Sequence, residues 1–217
     1  MLTKAPNPLK NDLCLLANDQ YKYLSSFYEL FERLIFQNTL EKSRVQSTKS
    51  VHPNDRVLVV GGGDGRMLKS LPKCSVDYIE SSNSMLELAQ KLYTNAEVNF
   101  IHSTWEEFEA TDKYDCVFFQ YFLDQYDEET IQGIIKKTTS MTHESSKILV
   151  CDFQELRNKM THRFLICLMI KFFRLTTGHS QKNLPNINAA LKNSGLTRIK
   201  LSEWKNGLVF ASVWIGD

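Results

Sequence analysis

Five short apolar runs, rich in β-branched residues, fall at 56–60, 75–79, 97–101, 114–119 and 147–152, and each reads as a strand. Segments with helical signals lie between them at 64–71, 84–93 and 127–141. The second of these opens on Ser84 with Glu87 three residues later, the pattern of a capping box. A short turn at 105–108 is enough to join the third and fourth strands. Strand and helix thus alternate, which predicts a parallel sheet covered on both faces. Ahead of the first strand, Tyr21, Leu24, Tyr28, Phe31 and Ile35 recur at spacings of three and four, an amphipathic helix over 21–35. Such a helix must pack on the outside of the domain or over a ligand cleft. The stretch 41–55 is polar and closes on Pro53-Asn54-Asp55, a turn feeding the first strand.

The end of the chain follows a different rhythm. A helix from 153 to about 174 is followed by a second at 185–193, with proline in its first turn and Gly195 past its end. Two strand-like runs at 196–204 and 208–214 flank Lys205-Asn206-Gly207, and Asn-Gly between such runs is a strong hairpin signal. The expected fold class is α/β: a doubly wound, mostly parallel seven-stranded sheet of Rossmann-like type ending in an antiparallel hairpin. An N-terminal helical cap over 1–50 precedes the main domain over 51–217.

The densest chemical signal lies after the first strand, where Val57-Leu58-Val59-Val60 runs into Gly61-Gly62-Gly63-Asp64-Gly65. Glycines let the backbone turn sharply and approach a ligand with no Cβ in the way. Glu80 closes the second strand, and an acid about 20 residues after such a loop is placed to accept from ribose hydroxyls. Loop and acid together point to a nucleotide-like ligand.

Composition narrows the classes. The formal net charge of +1 argues against a nucleic-acid binder that works by neutralising phosphates. Five cysteines are scattered without CxxC spacing, several inside apolar runs, and read as buried thiols of a reducing compartment. Residues 1–10 have no apolar core, so a secretory leader is not expected and a cytoplasmic location is. The greasy run 164–173 is too short to span a bilayer and is interrupted by Lys171, so no integral membrane segment is expected. It reads as a buried helix or as a lid over an apolar substrate. His52, His102, His143, His162 and His179 show no metal-ligand spacing, and no metal site is expected. His162, beside Arg163 in the candidate lid, is the one histidine kept as a site candidate. The apolar helices could pair the chain with a second copy as a homodimer.

With its glycine loop, its acid after strand two and its C-terminal strand hairpin, the chain over roughly 20–217 resembles the class I S-adenosylmethionine-dependent methyltransferases. Within that class the leading helix and the sequence Phe172-Phe173-Arg174-Leu175-Thr176-Thr177-Gly178 look most like enzymes acting on small molecules of quinone and lipid pathways. The resemblance implies S-adenosylmethionine as cofactor. It implies that Gly61, Gly63 and Gly65, with Gly62 and Asp64 between them, face the methionine and ribose parts, and that Glu80 binds both ribose hydroxyls. Ser81 follows the acid, and Met85 would lie against the adenine. Ser103, Thr104 and Trp105 would read the adenine edge, and Gln120 would meet the methionyl part. Two positions depart from the family: Val59 stands where an acid is common, and Ser103 replaces another. Asp64 is the candidate to supply the missing charge near the cofactor's ammonium.

Methyl transfer is an in-line displacement, so catalysis is largely positioning, exclusion of water and, for a hydroxyl acceptor, removal of a proton. Around the end of strand four the chain offers Phe118-Phe119-Gln120-Tyr121-Phe122-Leu123-Asp124-Gln125-Tyr126. Asp124 is the expected catalytic group, set against a plain capping role for the helix near Asp127. Asp152, at the end of strand five, is placed at the same cleft edge, and Tyr28 could cover cofactor or substrate. No Asn/Asp-Pro-Pro-aromatic motif for a planar base nitrogen follows strand four, which again speaks against nucleic acid. The function expected is methyl transfer to a small apolar or aromatic acceptor. Alternatives are a non-catalytic methyltransferase-like scaffold and a nicotinamide-dependent oxidoreductase, the latter disfavoured by Gly-x-Gly-x-Gly spacing and the terminal hairpin.

Overall fold

The computed structural model describes Phe36, residues 38–155 and residues 183–216. The expected helix over 21–35 and most of that over 153–174 lie outside the described residues. Seven strands form one sheet in the order β3-β2-β1-β4-β5-β7-β6. They are β1 (Arg56–Val60), β2 (Ser75–Glu80), β3 (Glu97–His102), β4 (Tyr114–Gln120), β5 (Thr142–Phe153), β6 (Leu196–Trp204) and β7 (Val209–Gly216). The first five pair in parallel, and β7 joins β5 and β6 antiparallel. The alternating α/β class, the strand count and the terminal hairpin therefore agree with the apolar pattern.

The central strands are buried on both faces, as parallel strands under helices must be. Along β1, Leu58 and Val60 join a core with Val117, Phe119 and Ile148 on one side, while Val57 and Val59 join Tyr78, Phe118 and Leu149 on the other. The first core is closed by α3 (Glu128–Ser140), which buries Ile131, Ile134, Ile135 and Thr138, and by α4 (Ile187–Asn193). Asp127 caps α3 by accepting from the Thr130 N–H at 2.8 Å, so the capping role considered for Asp124 belongs to Asp127. Among the described residues no helix is long and apolar enough to cross a membrane.

Several boundaries differ from the sequence reading for local reasons. The segment after the glycine loop is a 3-10 turn, Arg66–Ser70, because Pro72 forces Leu71 into extended backbone with ψ 143°. The next helix, α2 (Asn83–Ala89), is shorter than 84–93 and is capped by Ser82; Ser84 and Glu87 form no capping box, and Glu87 accepts from the Asn83 side chain instead. The helix expected at 185–193 starts at Ile187 behind Asn186, whose side chain accepts from the Ala189 N–H. β5 begins five residues early, since its opening stretch carries exposed His143, Glu144 and Ser145 and shows no apolar alternation.

The main element given no bounds in the sequence reading is α1 (Thr39–Thr48), which lies in the helical cap expected over 1–50 and runs into the polar stretch. Its inward face is Leu40, Ser43, Ser47 and Thr48, so the periodic positions carry hydroxyls where apolar groups would give the signal. Those hydroxyls are satisfied by carbonyls one turn back: Ser43 donates to Leu40 O (2.7 Å), Ser47 to Arg44 O (2.6 Å) and Thr48 to Val45 O (2.9 Å). α1 packs on β7 and β5, and Phe36 and Leu40 form a small core with Phe153, Leu208 and Val209.

Two loop glycines separate conformational from steric need. Gly63 and Gly65 have φ of +62° and +77°, but a Cβ on Gly63 meets nothing within 4 Å, whereas one on Gly65 would sit 2.9 Å from the Ala89 Cα. Gly63→Ala should therefore cost about 1–2 kcal/mol through backbone strain alone. Gly65→Ala should cost at least ~1 kcal/mol more because α2 must also shift. Urea unfolding of the two variants checks the order; equal costs would contradict the packing of the loop on α2.

Candidate functional site

The loop after β1 is pinned from beneath. The N–H groups of Gly61 and Gly62 donate to Ile79 O at 3.0 and 3.3 Å, tying the turn to β2. The Tyr78 ring occupies the space that a Cβ on Gly62 would fill, and its hydroxyl donates to Gly63 O at 2.9 Å. Burial, with Glu80 and Asp64 nearby, pushes the Tyr78 hydroxyl well above its ordinary range, so it remains a donor. Phe122, two residues past the end of β4, covers Gly61.

Glu80, at the end of β2, is 8% exposed. One carboxylate oxygen accepts from the Gly63 N–H and the other from the Ser82 N–H, each at 2.8 Å. Burial raises its pKa, while the amides of Ser82, Gly63 and Ser81 pull the other way. A carboxylate offers about four lone-pair sites. Three amides leave acceptor capacity unused, an arrangement suited to hydroxyl donors.

The other expected cofactor residues divide. Asp64 is paired with Arg66, whose Nε donates to Oδ2 at 2.6 Å, so its charge is already matched within the loop. Ser81 is exposed, and its carbonyl meets His102 Nε2 at 2.9 Å; Met85 is half-buried in the first turn of α2. The Ser103 N–H donates to Glu80 O, and its hydroxyl turns to Thr104 O at 3.0 Å. Thr104 spends its hydroxyl on Glu107. The Trp105 indole lies in the core, edge-on to Phe119 with centroids 6.0 Å apart and under Lys137 Nζ at 4.9 Å. An adenine contact from that residue is thereby limited to its main chain. Val59, at the family's acid position, is wholly buried among aliphatic and aromatic neighbours.

Beyond β4 the chain makes a strained exit. Tyr121 has φ +53°, its N–H donates to Cys151 O at 2.7 Å, and its hydroxyl meets Ser43 Oγ at 2.6 Å. Non-glycine residues in that region are uncommon and gather at functional sites. The following 3-10 turn, Leu123–Gln125, is held by Asp152, which is fully buried at the end of β5. Asp152 Oδ2 accepts from the N–H groups of Leu123 (3.0 Å) and Asp124 (3.2 Å), and Oδ1 from Phe153 N–H (2.8 Å). Half-buried Asp124 rides on that turn beside it. Burial pushes the Asp124 carboxyl up to about 7. Burial, then the neighbouring Asp124 charge, drive Asp152 well above the carboxylate range, and its three amide donors oppose them.

Gln120, 7% exposed, donates from Nε2 to Ser47 Oγ at 2.9 Å. Ser43 and Ser47 were invisible to apolar periodicity; hydroxyls four apart on a polar stretch were the signal that could have revealed this face. The structure thus gathers the glycine loop, Glu80, Gln120 and Asp124 at the carboxyl ends of β1, β2 and β4, where ligands bind in open α/β sheets.

Residues 57–145 match a family model described as a methyltransferase domain. No curated protein sequence matches the chain. Among solved structures, the fold is similar to the mitomycin 7-O-methyltransferase MmcR (18% identity, TM-score 0.62, covering 88% of this chain and 57% of that one). It is similar also to the plantazolicin methyltransferase BpumL in complex with SAH (16%, 0.60, 93% and 94%). A third is magnesium protoporphyrin IX methyltransferase ChlM from Synechocystis, with bound SAH (16%, 0.62, 93% and 100%). The chain spans a little over half the length of MmcR and nearly all of the other two. The family match favours the methyltransferase reading over the nicotinamide alternative. It begins in β1 and ends within β5, taking in the glycine loop and Glu80, so that this stretch of the chain is similar to a methyltransferase domain.

Proposed function

We propose that the protein transfers a methyl group from S-adenosylmethionine to a small, apolar or aromatic hydroxyl compound. The observation that carries this reading is Glu80, fixed by the Gly63 and Ser82 amides with acceptor capacity left over beside the left-handed glycines. That geometry fits a ribose diol. Gly61, Gly62, Gly63 and Gly65 give the cradle its backbone, and open space above Gly63 leaves room for the ligand. Ser81, Met85, Ser103, Thr104 and the Trp105 main chain would border the adenine, and Gln120 the methionyl part. Asp64, matched to Arg66, would shape the loop more than it attracts the ammonium.

Bound there, the cofactor supplies a methyl group activated by a sulfonium. The chain's own contribution is to dry the site, align the acceptor and take its proton. Phe122 packs between Phe119 (centroids 5.8 Å, stacked) and Tyr126 (5.1 Å), so the acceptor side of β4 is walled by aromatic rings. Such walls favour a planar, apolar acceptor and a cationic sulfonium alike. Asp124 is the base: a carboxylate lifted to about 7 by burial is matched to removing a hydroxyl proton near neutral pH.

With methyl-labelled S-adenosylmethionine and a panel of phenolic acceptors, label should move to an acceptor oxygen. The rate at low substrate should rise with pH through about 7 as Asp124 loses its proton. Asp124→Asn should lower kcat at least ~100-fold and flatten that rise. A variant with unchanged kcat and pH profile would remove Asp124 from the mechanism.

The same carboxyl predicts a stability signature. Its folded-state pKa of about 7 lies above its ordinary 3.8, so between those values the folded chain holds a proton that the unfolded chain has lost. Its contribution to stability is therefore fully present at low pH and is lost as pH rises through 7. Urea midpoints of the wild type measured against Asp124→Asn should diverge between about pH 4 and about 7, the variant becoming relatively more stable, and the difference should be level above that. A constant difference would contradict the burial of that carboxyl.

A further inference from the structure

The hydroxyl face of α1 touches the end of β4 at two points, and one has a defined hydrogen-bond polarity. The Ser47 hydroxyl has a single proton, and it is committed to Arg44 O at 2.6 Å. Toward Gln120, 2.9 Å away, the Ser47 oxygen can then only accept. A carboxamide has one donor end and one acceptor end, so only the NH2 end of Gln120 can face Ser47. The alternative orientation would set Oε1 against a serine lone pair or break the bond to Arg44. The Gln120 carbonyl oxygen is consequently turned away from α1, and among the described residues no donor reaches it.

We propose that Ser47 is a positioning residue that presents the Gln120 Oε1 to the ammonium of the cofactor's methionyl part. This rests on the reading of the site as a methyltransferase cofactor site. Gln120 continues β4 one residue past the pairing of Phe119 with Val60, the last residue before Gly61, so it stands beside the start of the glycine loop. It is 7% exposed, and a hydrogen bond from a cation to a neutral acceptor gains strength when water is kept out. The two positions considered as sources of charge for the ammonium do not supply it. Position 59 is a valine buried in the core, and the Asp64 carboxylate is matched by Arg66. An amide oxygen with a fixed orientation supplies the acceptor that those positions do not.

A Ser47–Gln120 bond that merely docked α1 onto the sheet would affect every ligand equally, and that contrast gives the test. S-Adenosylhomocysteine and its deaminated analogue, which has CH2 in place of CH–NH3⁺, are titrated calorimetrically into the full chain. The wild type should prefer S-adenosylhomocysteine. Ser47→Ala should weaken that ligand ~10-fold and leave the analogue unchanged. Ser47→Thr should behave as wild type. The double variant Ser47→Ala with Gln120→Glu should regain the preference, because either oxygen of a carboxylate accepts. If Ser47→Ala does not fold, Gln120→Leu reads the same ratio and should abolish the preference. Equal weakening of both ligands, no weakening, or failure of the double variant to recover would overturn the positioning role while leaving the cofactor site intact. No binding of either ligand by the wild type would overturn the cofactor reading, and this inference with it.

Discussion

The site depends on a carboxylate that the fold keeps nearly dry. Glu80 lies at the end of a central strand, and water satisfies little of it. Burying such a group without partners costs several kcal/mol, so its two amide bonds are a structural requirement as much as a binding device. One amide belongs to Gly63 and the other to Ser82, which caps α2. The carboxylate therefore fixes the glycine loop and the start of α2 relative to each other. Tyr78 fixes the loop from below, where the space under Gly62 admits no Cβ. Loop, acid and helix thus form one unit around Glu80, and that unit defines the ligand's place.

A second unit faces it from β4 and β5. Asp152, with three backbone donors, does for the turn carrying Asp124 what Glu80 does for the loop. Removing either carboxylate leaves amides unpaired, while each also has a neighbour chemically suited to a ligand. Phe122 links the two units, since it covers Gly61 and leaves from the turn that Asp152 holds. α1 locks the same strand end from outside through Ser43 and Ser47, and the left-handed Tyr121 between them is stabilised by its bonds to Ser43 and to the Cys151 carbonyl.

The parts legible in the sequence were those governed by period and by glycine. Strands β1 to β4 were readable within a residue because their apolar runs end at turn residues, and those of β1, β2 and β4 are largely buried. The positive φ at Gly61, Gly63 and Gly65 is the conformation that their spacing implied. α1 was not legible because Ser43, Ser47 and Thr48 occupy its buried positions, where hydroxyls bonded to their own helix replace aliphatic groups. The burial of the Trp105 ring was not legible for a related reason. A tryptophan after a strand can serve a ligand or a core, and only the tertiary neighbours Phe119 and Lys137 decide between them. That Asp152 shares a cleft edge with Asp124 was legible, but that its carboxylate accepts from the amides of the Asp124 turn was not, since the bond joins residues 28 apart.

The central claim is that Glu80, aligned by the loop amides, holds the ribose of an S-adenosyl cofactor. The most direct measurement is calorimetric titration of the purified chain with S-adenosylmethionine beside Glu80→Ala, with circular dichroism to confirm that both are folded. Micromolar binding by the wild type that falls ~100-fold or more in the folded variant is the predicted result. Binding of equal strength in the two proteins, or none in either, would contradict the account.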